Sequence, residues 1–266
     1  MNVFFRELKA HRKGLFFWCI GMIFLVLSGV AKFYGYSTNG QSTINQVLEM
    51  FPRSFQVLFG LNGFDLSKPS GAFGILFMYI VLMAVIHAVL LGTDLISKEE
   101  RDKTSEFLFV KPVSRASVIT AKLCAGLINL IVLNIVTLVA SLYTVDYFSK
   151  STAGHSDVVL LCAALFVLQI LFFVIGTAIA AVTSRAKAAA GIATAILLLA
   201  FVLYFAINLS GHIDWLRYMT PFKYFEAQTI LADGHLDVFY LALSGSIGIV
   251  ALAVTYYFYR RRDLAI

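Results

Sequence analysis

Charged side chains are scarce: Asp, Glu, Lys and Arg make up 14% of the 266 residues, against roughly 25% in a soluble domain. Apolar residues fill 60% of the chain and the mean hydropathy is +0.85, so lipid rather than water is the solvent for most of it, which excludes an ordinary soluble globular protein. Only three cysteines occur. Cys19, Cys124 and Cys162 each lie inside a long apolar run with no CxxC spacing, which excludes a zinc-binding framework and leaves packing as their role. No GxxxxGK[ST] loop is present, so the chain lacks the usual cradle for nucleotide phosphates. Internal repeats are missing as well, and no two apolar runs are broken by Gly or Pro in corresponding places, which argues against an inverted-repeat secondary transporter.

What is abundant is uninterrupted hydrophobicity. Six stretches reach the length of about 20 mostly apolar residues that a membrane span needs: residues 15–34, 73–96, 118–142, 158–182, 188–209 and 238–259. They are continuously apolar rather than alternating, so the expected fold is an all-α polytopic membrane protein and not a barrel. The first run follows a basic start but shows no small-residue cleavage pattern, and it reads as a retained span. One transmembrane domain accounts for residues 1–266. Within residues 1–14, Val3, Phe4 and Leu8 alternate with Arg6, Lys9 and Lys13 at roughly helical spacing. That predicts an interfacial helix on the inner leaflet, with a merely basic, topology-setting start as the alternative.

Formal net charge is +6, but its distribution says more than its sum. Fifteen of the 21 basic residues lie before the first run, in or near the second and fourth connections, or after the last run. The positive-inside rule therefore predicts that both termini are cytoplasmic, and nucleic-acid binding becomes an unneeded explanation.

The connections carry the remaining information. Residues 35–72 hold Ile44, Val47, Leu48, Phe51 and Phe55 at near-helical spacing, with Pro52 expected to end or kink a helix. Residues 210–237 hold Trp215, Tyr218, Phe222, Tyr224 and Phe225 around Pro221, which fits either an interfacial aromatic belt or a short re-entrant or surface-lying hairpin closing the outer side of a pathway. Residues 97–115 begin with a dense charge run, Lys98-Glu99-Glu100-Arg101-Asp102-Lys103, followed by the apolar patch Phe107 to Val110. Pro112 stops a helix and Ser114 caps the next. These charges and aromatics suit docking to a soluble protein, and Glu99 and Glu100 read as solvated rather than catalytic. Intramembrane polar residues are candidate pathway contacts: His87, Asn129, Asn134 and Gln169, with interhelical hydrogen bonding as the plainer role for the amides. Asp94, seven residues after His87, is expected to be interfacial and hydrated.

The string from Ile96 through Lys-Glu-Glu-Arg-Asp-Lys-Thr-Ser-Glu-Phe-Leu to Lys111-Pro-Val-Ser-Arg115, with Lys122 beyond, resembles the hallmark of the ABC type-2 exporter permeases. Thr104, Glu106, Leu108, Pro112, Ser114, Arg115 and Lys122 match that pattern, while Lys103 and Ala121 stand where glycines are usual. Phe51 to Gly60, Lys68 to Gly71, Thr220 to Phe225 and Tyr259 to Leu264 are similar to other parts of the family. The resemblance implies a half-transporter of six spans, paired with a second permease copy and with two copies of an ABC ATP-binding subunit that hold ATP and Mg. It implies that Glu99, Glu100, Arg101, Thr104, Glu106, Phe107, Leu108, Pro112, Ser114 and Arg115 form the coupling element seated in that ATPase. No cofactor, metal or catalytic residue is expected in this chain. The setting is the bacterial plasma membrane, and the expected cargo is a hydrophobic or amphipathic peptide, antibiotic or lipid-like molecule moved outward. An intramembrane enzyme and a membrane scaffold or immunity protein are the alternatives.

Overall fold

A computed structural model describes residues 3–37, 52–58, 69–102, 114–149, 154–210 and 213–261. Every regular element among them is helical: α1 Val3–Ser37, α2 Arg53–Leu58, α3 Pro69–Arg101, α4 Arg115–Ser149, α5 His155–Val182, α6 Ala186–Ser210, α7 Ala227–Asp233 and α8 Val238–Arg261, with 3-10 turns at Asp214–Met219 and Pro221–Lys223. Six of these helices are long and apolar enough to cross a membrane, as the six apolar runs predict. They overrun those runs at their ends. At 1.5 Å per residue, the 35 residues of α1 and of α4 extend about 52 Å, well past a hydrocarbon layer of about 30 Å. The overhangs are amphipathic turns that a hydropathy window leaves out.

The separate interfacial helix expected over residues 1–14 is one such overhang. The helix runs unbroken from Val3 through Gly14 into the first span, and Glu7 in its second turn is only 1% exposed. Its carboxylate faces cations on α3 and α4, so the amphipathic start continues along the bundle instead of turning onto the leaflet. Pro52 begins a helix: its carbonyl accepts from the backbone N–H of Phe55 at 2.8 Å and of Gln56 at 3.2 Å, at a helix start where a missing N–H costs nothing. Ile44, Val47, Leu48 and Phe51 lie outside the described residues.

Helices α3 and α5 form the middle of the bundle, with most of their side chains buried. They cross closely because two glycines leave room. A Cβ at Gly92 would sit 2.4 Å from the Phe173 carbonyl oxygen, and one at Gly176 would sit 2.8 Å from that of Val89. Around this pair stand α1 and α4, packed on each other, α6 against α3 and α5, and α8 against α5. Their outward faces present Phe16, Phe17, Phe24, Leu199, Val202, Ile249 and Val250, an apolar perimeter suited to lipid.

The bundle has two distinct ends. One gathers the start of α1, the end of α3, the start of α4, the turn between α5 and α6, and the end of α8. There Arg115 donates to the Arg260 carbonyl at 3.2 Å, and Ile96, Ile119, Ala181 and Tyr259 share a buried cluster. The other end carries α2, α7 and the segment between α6 and α8. In that segment the aromatics divide. Trp215 and Tyr218 are exposed, while Phe222, Tyr224 and Phe225 are buried. Phe222 packs between Phe172 and Phe201, with ring centroids 5.1 and 5.2 Å away, and the Thr220 hydroxyl donates to the Ala200 carbonyl at 2.8 Å. Burial pushes the Tyr224 phenol above its ordinary pKa, and this hydroxyl donates to the Tyr218 carbonyl. The segment thus divides: Phe222, Tyr224 and Phe225 fold back onto the bundle, while Trp215 and Tyr218 keep the exposure that an interfacial belt calls for.

Candidate functional site

The end that gathers the termini contains a knot of buried charge. α3 delivers Asp94, Lys98, Glu99 and Arg101 from its last two turns, α4 delivers Lys122 from its third turn, and α1 delivers Arg6, Glu7 and His11. Lys122 is fully buried and Glu99 is 6% exposed. The Lys122 ammonium donates to the Glu99 carboxylate and to the Leu95 carbonyl. The other Glu99 oxygen accepts from Arg6 at 3.0 Å, and Arg6 also donates to Glu7 at 2.9 Å. Looser contacts close the knot: Lys98 Nζ stands 3.9 Å from Glu7, and His11 Nε2 stands 3.7 Å from Glu7 and 3.9 Å from Asp94. Arg101 reaches back one face of α3 to Asp94 at 2.6 Å and forward to Asp102 at 3.2 Å.

This geometry corrects the expectation of a solvated charge run. Glu99 faces inward and ties three helices together, because an ammonium as deep as Lys122 draws on a carboxylate and a backbone carbonyl to offset its lost hydration. Arg101 stays at the surface, and Glu100 is half-buried. Thr104, Glu106, Phe107, Leu108 and Pro112 lie outside the described residues. Ser114 caps α4, its hydroxyl accepting from the Ser117 N–H at 3.2 Å, as the spacing predicts. Both flanks of residues 103–113 are therefore braced: α3 through Glu99 to α1 and α4, and α4 through Arg115 and a 2.8 Å Thr120–Tyr256 hydrogen bond to α8.

The candidate pathway residues separate into two groups. His87 and Asn129 line a cavity of about 150 Å³ together with Trp18, His11 and Asp94. Trp18 lies against the His87 ring with centroids 5.2 Å apart, and Asn129 donates to the Ala125 carbonyl of its own helix at 2.8 Å. Asn134 instead donates to Gln169 and to the Cys162 carbonyl, each at 3.2 Å, the interhelical bonding expected of intramembrane amides. Asp94 pairs with Arg101 and keeps its side chain 30% exposed.

Sequence reasoning missed Glu7 and counted Lys122, just inside the third span, with the basic residues of the second connection without giving it a partner. The available signal was Glu7 itself, the one acid among the basic residues of the N-terminal turns, spaced i, i+4 from His11. Chemically, the knot moves no bond. It is a set of matched charges whose low-dielectric setting makes each partner depend on the others, so it fixes the relative positions of α1, α3 and α4 where residues 103–113 leave the bundle.

No curated protein matches this sequence. The family described as ABC-2 family transporter protein matches residues 1–264, nearly the full length. With six membrane-crossing helices and that match, the chain belongs to the ABC-2 transporter family, as a multi-pass membrane permease component of an ABC transporter whose family implies an ATP-binding partner.

Proposed function

We propose that this chain is the membrane half of an ATP-driven exporter in a bacterial plasma membrane, with both termini cytoplasmic. Two permease copies pair, two ATP-binding subunits dock beneath them, and ATP and Mg remain in those subunits. Residues 103–113, with Arg101 and Arg115 at their borders, seat in the ATPase and pass its closure to the spans. The observation that carries this reading is the bracing of both flanks of that segment: the knot around Glu99 and Lys122 and the Arg115 and Thr120 contacts to α8 connect it to four helices at the basic end of the bundle. The cargo is hydrophobic or amphipathic, since the helix faces are largely apolar and the buried charges are consumed in the knot.

The docking role is tested by co-purification with the ATP-binding subunit. Glu106→Lys and Phe107→Ala are expected to abolish stable association, while the purified permease alone hydrolyses no ATP. Undiminished association of both variants overturns the docking assignment. Glu99 is unsuitable for this test, because its charge holds the fold. ATP-dependent uptake of candidate amphiphiles into inverted vesicles tests direction; accumulation that requires ATP supports export, and its absence with an active ATPase opposes it.

A further inference from the structure

Beside the charge knot, α1, α3 and α4 enclose the cavity of about 150 Å³ that His87 and Asn129 line with His11, Trp18 and Asp94. Its volume is about half the roughly 300 Å³ at which sites for organic ligands begin, and suits a few waters instead. Its polar lining is incompletely satisfied. His87 is 4% exposed, its Nδ1 is buried with no hydrogen-bond partner among the described residues, and its ring lies against the Trp18 indole with centroids 5.2 Å apart. His11 Nε2 is also buried without a hydrogen bond among those residues, 3.7 Å from Glu7 and 3.9 Å from Asp94. Buried imidazoles left unpaired are costly in dry surroundings and are ordinarily met by water. Asp94 connects the cavity with solvent at the end that holds the termini, because it lines the cavity while its side chain stays 30% exposed.

We propose that this cavity is a hydrated proton-binding site, with His87 as the inner acceptor and Asp94 as the inlet and counter-charge. A hydronium arriving through the water beside Asp94 gives its proton to a lone pair of the neutral His87 ring; an N–H bond forms as an O–H bond breaks, and water is left behind. The Asp94 carboxylate, two turns along the same helix, balances the imidazolium. His11 on α1 is the competing base, and a proton on either ring opposes a proton on the other, so the site holds one at a time. The other neighbours bring no free charge. Asp94 is shared with Arg101, α4 presents the uncharged Asn129 while its Lys122 is held by Glu99, and α5 and α6 carry no acid or base between residues 158 and 182 or between 188 and 209. Proton uptake at this site does not depend on the export reading.

The test is a pH titration of Trp18 fluorescence in the full chain in lipid nanodiscs, with Trp215→Phe removing the only other indole. An imidazolium quenches an adjacent indole far more than a neutral imidazole does. Reversible quenching of about twofold is expected between about pH 8 and about pH 4, on either side of an ordinary imidazole. His87→Gln should abolish it with an unchanged size-exclusion profile, and His11→Gln, which removes the competing base, should keep it. Asp94→Asn should require at least about threefold more acid for the same quenching. Where His87→Gln does not fold, histidine nitrogen NMR of the parent chain decides: the ring in contact with Trp18 should gain a proton over the same range and exchange with water. Flat Trp18 emission, quenching that survives His87→Gln, an Asp94→Asn titration identical to the parent's, or a ring that fails to titrate or to contact water overturns the site.

Discussion

Replacing Glu99 by Gln removes the carboxylate that pairs with Lys122. Because Lys122 is completely buried, the stranded ammonium should cost about 3–5 kcal/mol, a fall of roughly 6–20 °C in melting temperature for a chain of this size. Lys122→Met should cost less, about 1–3 kcal/mol, because Glu99 keeps its 3.0 Å contact with Arg6, whose side chain is 37% exposed and can follow the carboxylate toward water. The two losses should not add. In the Glu99→Gln, Lys122→Met double variant no buried charge is left unpaired, and the cycle should show a coupling of at least about 2 kcal/mol. Melting of the four proteins in one detergent, followed by tryptophan fluorescence and size exclusion, measures this directly. Equal and additive losses, or a Glu99→Gln variant as stable as the parent, would refute the assignment of Glu99 to the interior.

Gly92→Val should destabilise by several kcal/mol, since its Cβ would fall 2.4 Å from a backbone oxygen that cannot yield without parting α3 from α5; Gly191→Ala, with nothing within 4 Å of the new Cβ, should be neutral or stabilising by up to about 1 kcal/mol, and melting temperatures check both. Phe222→Ala should lose about 3–5 kcal/mol and open the hairpin to limited proteolysis between α6 and α8. A double-mutant cycle of Asn134→Leu with Gln169→Leu should give a coupling of about 0.6 kcal/mol, read by reversible unfolding in mixed micelles; a coupling near zero would remove that contact from the account.

The six long helices were legible because a run of about 20 apolar residues has few other fates. Their ends were not. Val3 to Gly14 looks amphipathic in isolation, and whether such a stretch lies on a leaflet or continues a helix depends on Lys98 and Lys122, which sit about a hundred residues away in the chain. The same holds for Glu99: a carboxylate among Lys98, Glu100 and Arg101 has the composition of a solvated turn, and only the position of Lys122 on the neighbouring helix turns it inward. The aromatics between α6 and α8 were ambiguous for a related reason, since headgroup-layer rings and buried rings are the same residue types. Phe222 and Trp215 differ in their neighbours, not in their chemistry. Asn134 and Gln169 were readable as hydrogen-bonding partners because apolar surroundings leave an amide little else to do.

The unbroken course of α1 has a mechanical consequence. A helix of 35 residues is a rod about 52 Å long, and Arg6 and Glu7 grip it at its base. Tilted by about 5° around that grip, its far tip travels about 4–5 Å, nearly the pitch of a helical turn. A kink at Gly14 would have absorbed such a swing as local bending. Without one, a small rotation at the charged base arrives at the opposite surface as a displacement large enough to re-seat a side chain.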